Sequence, residues 1–108
     1  MMTRIVAPLC MTLAMASGVA YAALAVHTVD QNKLQFSVSE LRIRKGETVR
    51  FMNSDRPAHN ILVGSGPAML NSGLQQPGQP FEVPFTKEGT FPVTCGIHPK
   101  MRMTVVVE

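Results

Sequence analysis

Four side chains that bind transition metals occur in two separate parts of this sequence. Cys95, His98 and Met101 bring a thiol, an imidazole and a thioether within seven residues near the C terminus. A second imidazole, that of His59, lies 36 residues before Cys95. Thiolate and thioether are soft donors, and imidazole suits several first-row metals. The sequence therefore predicts a metal site assembled from two distant segments of the chain.

The donor types indicate which metal this site would hold. A thiolate, two imidazoles and a weakly bound thioether are the ligand set of blue-copper electron-transfer sites. Structural zinc sites instead pair cysteines separated by about two to four residues, whereas the cysteines here are Cys10 and Cys95. A lone cysteine is usually only a small buried apolar residue, so the prediction depends on the coincidence of all four donors. We expect one copper ion that cycles between Cu(I) and Cu(II).

Two methionines compete for the thioether position. Met101 and Met103 are two residues apart, so both side chains would point to the same side of an extended segment. Spacing alone therefore leaves the choice between them open.

The first 22 residues are typical of a cleavable export signal. Arg4 precedes an apolar run, Ile5–Ala16, which is followed by the small-residue motif Ala20-Tyr21-Ala22. The run is shorter than the roughly 20 residues that a membrane-spanning helix needs. We therefore expect a signal peptide over residues 1–22, cleavage after Ala22, a periplasmic location and no membrane span after cleavage.

The mature chain, residues 23–108, is expected to form one small domain. It retains nine basic and seven acidic residues, a formal charge of +2, and Cys95 as its sole cysteine. An exported domain of this size usually needs a disulfide or a metal, because its core is marginal. A metal at Cys95 meets that need and also occupies a thiol that would otherwise be reactive.

Short runs of alternating apolar residues fill the mature chain. Turn-forming residues such as Gly46 and Gly89 separate these runs, and none shows a helical period. The eight glycines and eight prolines also argue against a helical bundle. Gly64–Pro80 is expected to be a long irregular loop. The pattern indicates an all-β sandwich of about seven or eight strands.

Strand alternation places two of the candidate ligands in the interior. Cys95 shares its parity with Val93, and His59 shares its parity with Ile61, so both should point toward the apolar core. His98 follows on a loop and is expected to be the ligand nearest the surface.

Several longer stretches carry a family resemblance that covers roughly residues 32–108. The stretches are Glu40–Asn53 (ELRIRKGETVRFMN), Pro57–Ile61 (PAHNI), Phe85–Phe91 (FTKEGTF) and Cys95–Arg102 (CGIHPKMR), which leads into Val105–Glu108. With these stretches the sequence resembles the cupredoxins, most of all the amicyanin and pseudoazurin branch of the plastocyanin-like proteins.

The resemblance implies a Greek-key β-sandwich of the cupredoxin type with one type 1 copper ion. By resemblance, the copper ligands are His59, Cys95, His98 and Met101. The spacing from Cys95 to Met101 matches the short amicyanin loop, whereas Met103 would suit a longer plastocyanin-like loop. We therefore expect Met101 as the axial ligand and Met103 as the alternative.

The resemblance also implies that Asn60 and Ile97 support the copper ligands without binding the metal themselves. Asn60 would join the strand of the first ligand to the ligand loop. Many relatives have Thr or Ser after the cysteine, whose hydroxyl pairs with the residue at this asparagine position. Gly96 has no side chain, so the link must use the backbone or be absent. Ile97 replaces a proline that is common in relatives, and its N–H is a candidate donor to the Cys95 sulfur.

The implied function is that of a small exported electron carrier and not of an enzyme. Its partners would be exported redox proteins, for example a dehydrogenase, a reductase or a c-type cytochrome, which dock transiently near His98. The small residues expected to surround that ligand are Pro57, Ala58, Gly64, Gly66 and Pro99. The alternative is a copper-binding carrier or buffer without redox turnover.

Other classes of function find no support in the sequence. Multicopper oxidases need further histidines in His-x-His pairs, and the chain has three histidines and no such pair. Lys and Arg are scattered, without the basic run or motif typical of nucleic-acid binding. We expect the protein to act as a monomer.

Overall fold

Two β-sheets packed face to face make up residues 23–108, the part of the chain described by a computed structural model. The predicted signal peptide, residues 1–22, lies outside the described residues. The strands in chain order are β1 (Val26–Asn32), β2 (Gln35–Phe36), β3 (Glu40–Ile43), β4 (Thr48–Asn53), β5 (Ile61–Val63), β6 (Leu70–Asn71), β7 (Phe81–Pro84), β8 (Gly89–Cys95) and β9 (Arg102–Val107).

The chain crosses between the two sheets several times, as in a Greek-key sandwich. One sheet has the order β2-β1-β4-β7 and the other has the order β3-β9-β8-β5-β6. The pairs β1–β4 and β3–β9 are parallel, because the chain crosses to the other sheet before it returns to these neighbours. The predicted all-β sandwich is confirmed. No helix within residues 23–108 has both the length and the apolar character needed to span a membrane.

The core lies between the sheets and is filled by alternate residues of each strand. Val29, Val49 and Phe51 of the first sheet are fully buried, as are Val93 and Val105 of the second. Because a strand points successive side chains to opposite faces, the residues between them face solvent or lie half-buried. This alternation also turns the ends of β5 and β8 toward the interior, where the predicted ligands lie.

Residues 23–108 form nine strands, where about seven or eight were expected. The additional strand, β6, lies within Gly64–Pro80, which was expected to be irregular, and a 3₁₀ turn at Gly66–Ala68 precedes it. A strand of two residues between glycines is too short to show a period of two, which explains why the sequence pattern misses it.

A buried carboxylate fastens the start of β1 to the turn before β4. Glu47 accepts hydrogen bonds from the N–H groups of Arg44 and Ala25, each at 2.7 Å. His27 Nε2 lies 3.3 Å from the same carboxylate. The hydrogen bond from the Arg44 N–H, and to a smaller extent the one from the Ala25 N–H, lower the pKa of Glu47 from 4.5 to about 2. The carboxylate therefore stays ionised in the folded protein under conditions where it would be protonated in the unfolded chain.

We expect Glu47 to make the stability of the protein depend on acidity. Its stabilising effect should be complete above pH 4.5 and should disappear as the pH falls toward 2, because protonation removes the acceptor charge. Glu47→Gln should lower the free energy of unfolding at neutral pH and flatten its decline in this acid range. Urea unfolding across the pH range measures both effects.

The matched control for this experiment is Glu82→Gln. Glu82 pairs with Arg50 on the exposed face of the sheet, where an ion pair contributes little. If the free energy of unfolding fell equally with pH in Glu47→Gln and Glu82→Gln, the acid dependence could not be attributed to Glu47.

Candidate copper centre

Three nitrogen and sulfur atoms converge at one end of the sandwich. Cys95 Sγ lies 3.6 Å from His59 Nδ1 and 3.6 Å from His98 Nδ1, and the two nitrogens are 3.2 Å apart. Within residues 23–108, these three residues are the group of His, Cys, Asp and Glu side chains that could hold a metal ion. The structure thus brings together the thiol and both imidazoles that the sequence predicted.

The dimensions of this triangle fit a transition metal in its plane. Its centre is about 2.0 Å from each of the three atoms, close to the roughly 2.0–2.3 Å at which imidazole nitrogen and thiolate sulfur bind such ions. A trigonal set of two imidazoles and one thiolate is the arrangement of blue-copper sites. The residues present therefore fit copper.

Each ligand of the triangle is positioned by a different element. Cys95 ends β8 and pairs with Ile61 of β5. His59 precedes β5 and forms a two-way backbone bridge with Gln75, at 3.0 and 2.7 Å. His98 lies in the loop after Cys95, and its carbonyl accepts the N–H of Met101 at 2.9 Å. Two rigid strands and one tight loop thus converge on the metal position.

The three ligands differ in their access to solvent. His59 is fully buried, and Cys95 is 1% exposed. His98 is half-buried and contributes to an open cleft on the protein surface. The sequence-based expectation that His98 is the outermost ligand agrees with this arrangement.

The two methionines occupy different positions relative to Cys95. Both are buried, at 2% and 3% exposure. Met101 lies opposite Cys95, whose N–H donates to the Met101 carbonyl at 3.3 Å, and it lines the cleft with His98. Met103 pairs instead with Val93, one step deeper along β8 and β9.

The Cys95 sulfur accepts a hydrogen bond from the backbone of its neighbouring strand. Asn60 N–H donates to Sγ at 3.4 Å, and the Asn60 carbonyl accepts the N–H of Gly96 at 2.7 Å. Asn60 therefore links the strand of His59 to the ligand loop, and it does so through its backbone.

The hydrogen bond expected from the Ile97 N–H to the Cys95 sulfur is absent from the hydrogen bonds of residues 23–108, and the Ile97 side chain is 50% exposed. Backbone direction at the loop, which sequence does not reveal, decides which N–H reaches the sulfur.

The side chain of Asn60 occupies the space that Gly96 leaves free. A Cβ added at Gly96 would overlap Asn60 Oδ1 and come within 3.5 Å of Leu62. With this space available, Asn60 Nδ2 donates to Asn71 Oδ1 at 2.7 Å and to the Gly73 carbonyl at 2.9 Å. The asparagine thus anchors the segment around β6 instead of bonding a hydroxyl at position 96.

A carboxylate that the sequence analysis did not single out contacts the buried histidine. Asp55 Oδ2 lies 2.9 Å from His59 Nε2, and the two carboxylate oxygens also accept the N–H groups of Lys33 and Leu34. Burial raises the pKa of Asp55, but the donors Leu34, His59 and Lys33 together lower it by more, so its pKa lies below the usual value. The i, i+4 spacing of Asp55 and His59 was the available signal, although in a turn it does not imply contact.

The surroundings of His98 differ from the expected rim. Gly64 does not flank it, because the Gly64 N–H donates to the Pro92 carbonyl, three residues before Cys95, where the strands lead away from the site. Pro57, Ala58 and Gly66 are not among the residues that line the cleft beside His98, whereas Pro99 is. The cleft beside His98 is instead completed by the β1–β2 turn. Its lining residues are Lys33, Leu34, Gln35, Ile97, His98, Pro99, Lys100 and Met101.

We expect Gly96→Ala to destabilise the protein by about 1–3 kcal/mol, the usual cost of overpacking. The new methyl group would displace the Asn60 carboxamide from Asn71 and Gly73. Denaturant unfolding of the metal-free protein measures the loss. In an Asn60→Ala background, where the overlap is gone, Gly96→Ala should cost much less, and an equal loss in both backgrounds would contradict this packing.

Comparison with known proteins places this site in a family. The family of copper binding proteins, plastocyanin/azurin, matches residues 23–108. Amicyanin of Paracoccus denitrificans is 34% identical over 83 residues, which cover 74% of this chain and 63% of that protein. Amicyanin-alpha of Methylorubrum extorquens is 33% identical over 79 residues, which cover 70% of this chain and 66% of that protein. The chain thus spans just under two thirds of the length of these curated relatives.

A solved structure extends the similarity to three dimensions. The reduced Cu(I) form of an amicyanin variant matches with a TM-score of 0.72 and 32% identity, over 81% of this chain and 86% of that chain. The fold, the cluster of His59, Cys95 and His98, and the family match agree with one another. The chain therefore belongs to the plastocyanin/azurin family of copper-binding proteins.

Proposed function

We propose that the mature chain is a type 1 copper protein that carries single electrons between redox partners. The observation that carries this proposal is the triangle of Cys95 Sγ, His59 Nδ1 and His98 Nδ1, whose sides measure 3.2–3.6 Å. Copper bound there supplies one-electron chemistry by alternating between Cu(I) and Cu(II).

The protein's own contribution is to hold the donors still. His59 and Cys95 are fixed by strand pairing and by the Asn60 N–H, and both are shielded from water. Donors that cannot rearrange keep nearly the same geometry in both oxidation states. The energy needed to reorganise the site during electron transfer is therefore small.

The same rigidity favours an electron carrier over a copper buffer. A buffer must release its metal readily, which requires ligands that can move or exchange with water. Two of the three donors here are almost fully buried, so water cannot readily take their place on the metal. The buried ligands thus support redox turnover with retained copper.

Met101 is proposed as the axial ligand. Its position opposite Cys95 and beside His98 supports this choice. Met103 faces the core next to Val93 and serves as packing.

His98 is proposed as the exit for the electron, and the cleft beside it as the docking surface. Leu34 and Ile97 expose 46% and 50% of their surface there, flanked by Lys33 and Lys100. Among residues 23–108, neither lysine forms an ion pair, whereas Arg42, Arg44 and Arg50 all do. An exported redox protein with an apolar patch bordered by carboxylates would complement this surface.

Export is part of the same proposal. The segment before residue 23 has the charge, apolar run and small-residue motif of a signal peptide, and cleavage after Ala22 would release the domain into the periplasm as a monomer. Among residues 23–108, every strand begins at or after Val26, so cleavage after Ala22 would remove none of these strands.

We expect Cys95→Ser to abolish the intense visible colour of the oxidised, copper-loaded protein, because that colour arises from the copper–thiolate bond. The substitution should also remove most of the stabilisation that copper gives against thermal unfolding, since metal binding is coupled to folding. Absorption spectra and melting curves with and without copper test both effects. A Cys95→Ser protein with unchanged colour and copper-dependent stability would refute the ligand assignment.

Paired substitutions of the two methionines should separate their roles. Met101→Gln should change both the visible spectrum and the reduction potential, because the axial ligand tunes the potential. Met103→Gln should mainly lower stability, because it places an amide in the core. Redox titration of both variants distinguishes them, and the opposite ranking would transfer the axial role to Met103.

Reversing the charges beside His98 should slow electron transfer to an anionic oxidant. With hexacyanoferrate(III) at low salt, the Lys33→Glu/Lys100→Glu double variant should react about 10-fold more slowly than the wild type, and the difference should shrink as salt rises. Lys87→Glu, at the groove that Gly64 lines, is the control for the change in net charge. If Lys87→Glu slowed electron transfer as much, per unit of charge changed, as the double variant does, the docking surface would not be local to His98.

A further inference from the structure

The carboxylate of Asp55 contacts the fully buried side chain of His59, a proposed copper ligand. Its Oδ2 lies 2.9 Å from His59 Nε2, and the two side chains are 10% and 0% exposed. An ionised carboxylate only accepts hydrogen bonds, so His59 must carry its hydrogen on Nε2. The lone pair of Nδ1 then points toward Cys95 Sγ, in the tautomer that a metal ligand needs.

The same carboxylate is held in place by the turn between β1 and β2. Its Oδ1 accepts the N–H of Lys33 at 2.7 Å, and its Oδ2 accepts the N–H of Leu34 at 2.9 Å. Both residues have left-handed φ angles, 53° and 57°, in a two-residue turn that usually contains Asn-Gly. Two residues that disfavour this conformation adopt it here, and Asp55 binds the N–H groups that the turn presents.

We propose that Asp55 is a positioning residue for the copper site, which fixes the tautomer and ring orientation of His59 and ties that ligand to the β1–β2 turn. This inference rests on the proposed function. The carboxylate also places a negative charge next to a ligand, which favours the more positive, oxidised state of the metal. Removal of that charge should therefore raise the reduction potential.

The first test needs no metal. In the metal-free protein at neutral pH, ¹⁵N NMR of the imidazole nitrogens should show His59 with its hydrogen on Nε2. In Asp55→Ala, the resonances should move toward a mixture of the two tautomers. An unchanged, fully Nε2-protonated His59 in Asp55→Ala would overturn the proposal.

The second test measures copper affinity and reduction potential. Asp55→Ala should bind copper about 10–100-fold more weakly. Asp55→Asn, which keeps an acceptor but loses the charge, should shift the ratio of reduced to oxidised copper about tenfold, or about 59 mV for one electron. The control is Asp30→Asn, because Asp30 accepts the hydroxyl of Ser54, the residue before Asp55, and does not contact His59. Equal shifts in Asp55→Asn and Asp30→Asn would overturn the proposal.

A third variant separates positioning from folding of the turn. Lys33→Asn with Leu34→Gly supplies the residues that favour this turn, so the hairpin no longer depends on Asp55. In that background, Asp55→Asn should still raise the potential, and loss of the shift would show that Asp55 acts only through the turn. If the wild type itself fails to bind copper, the proposed function is wrong, whereas the tautomer measurement still decides the role of Asp55.

Discussion

The Cys95 sulfur and two imidazole nitrogens lie within 3.6 Å of one another, and Cys95 and His59 are almost completely shielded from water. Three electron-rich atoms in such a setting are costly to bury without a partner. A single cation at their centre satisfies all three at once. We therefore expect metal binding to stabilise this fold, and the remaining structure can be understood as the means of holding the three donors together.

The sandwich achieves this by bringing the ends of strands from distant parts of the sequence together. Cys95 and Ile61 are paired across β8 and β5, so His59, two residues before Ile61, lies beside the sulfur. Gln75 fastens His59 from the other side through a backbone bridge. The loop from Cys95 to Met101 is short, and this places the exposed edge of His98 next to the β1–β2 turn. One end of the fold thus combines a dry metal site with an accessible surface.

The sequence was sufficient to predict that one thiol and two imidazoles come together, and that two of them lie on the inner faces of strands. Residue type identified Cys95, His59 and His98, and strand parity turned the first two inward. The sequence did not reveal Asp55 or the Lys33–Leu34 turn, because neither Lys nor Leu marks a left-handed turn and a contact across 21 or 22 residues leaves no local pattern. Gly96 was recognised as a departure from the family, but only the structure shows that the Asn60 carboxamide occupies the vacated space.

A thiolate and two imidazoles are proposed to hold one copper ion that accepts and returns a single electron. A spectroelectrochemical titration of the mature, copper-loaded protein tests this proposal. An intense visible absorption should disappear on uptake of one electron per chain and return on reoxidation, with about 59 mV for each tenfold change in the redox ratio. Bound copper without this absorption, or an absorption that does not respond to the applied potential, would contradict it.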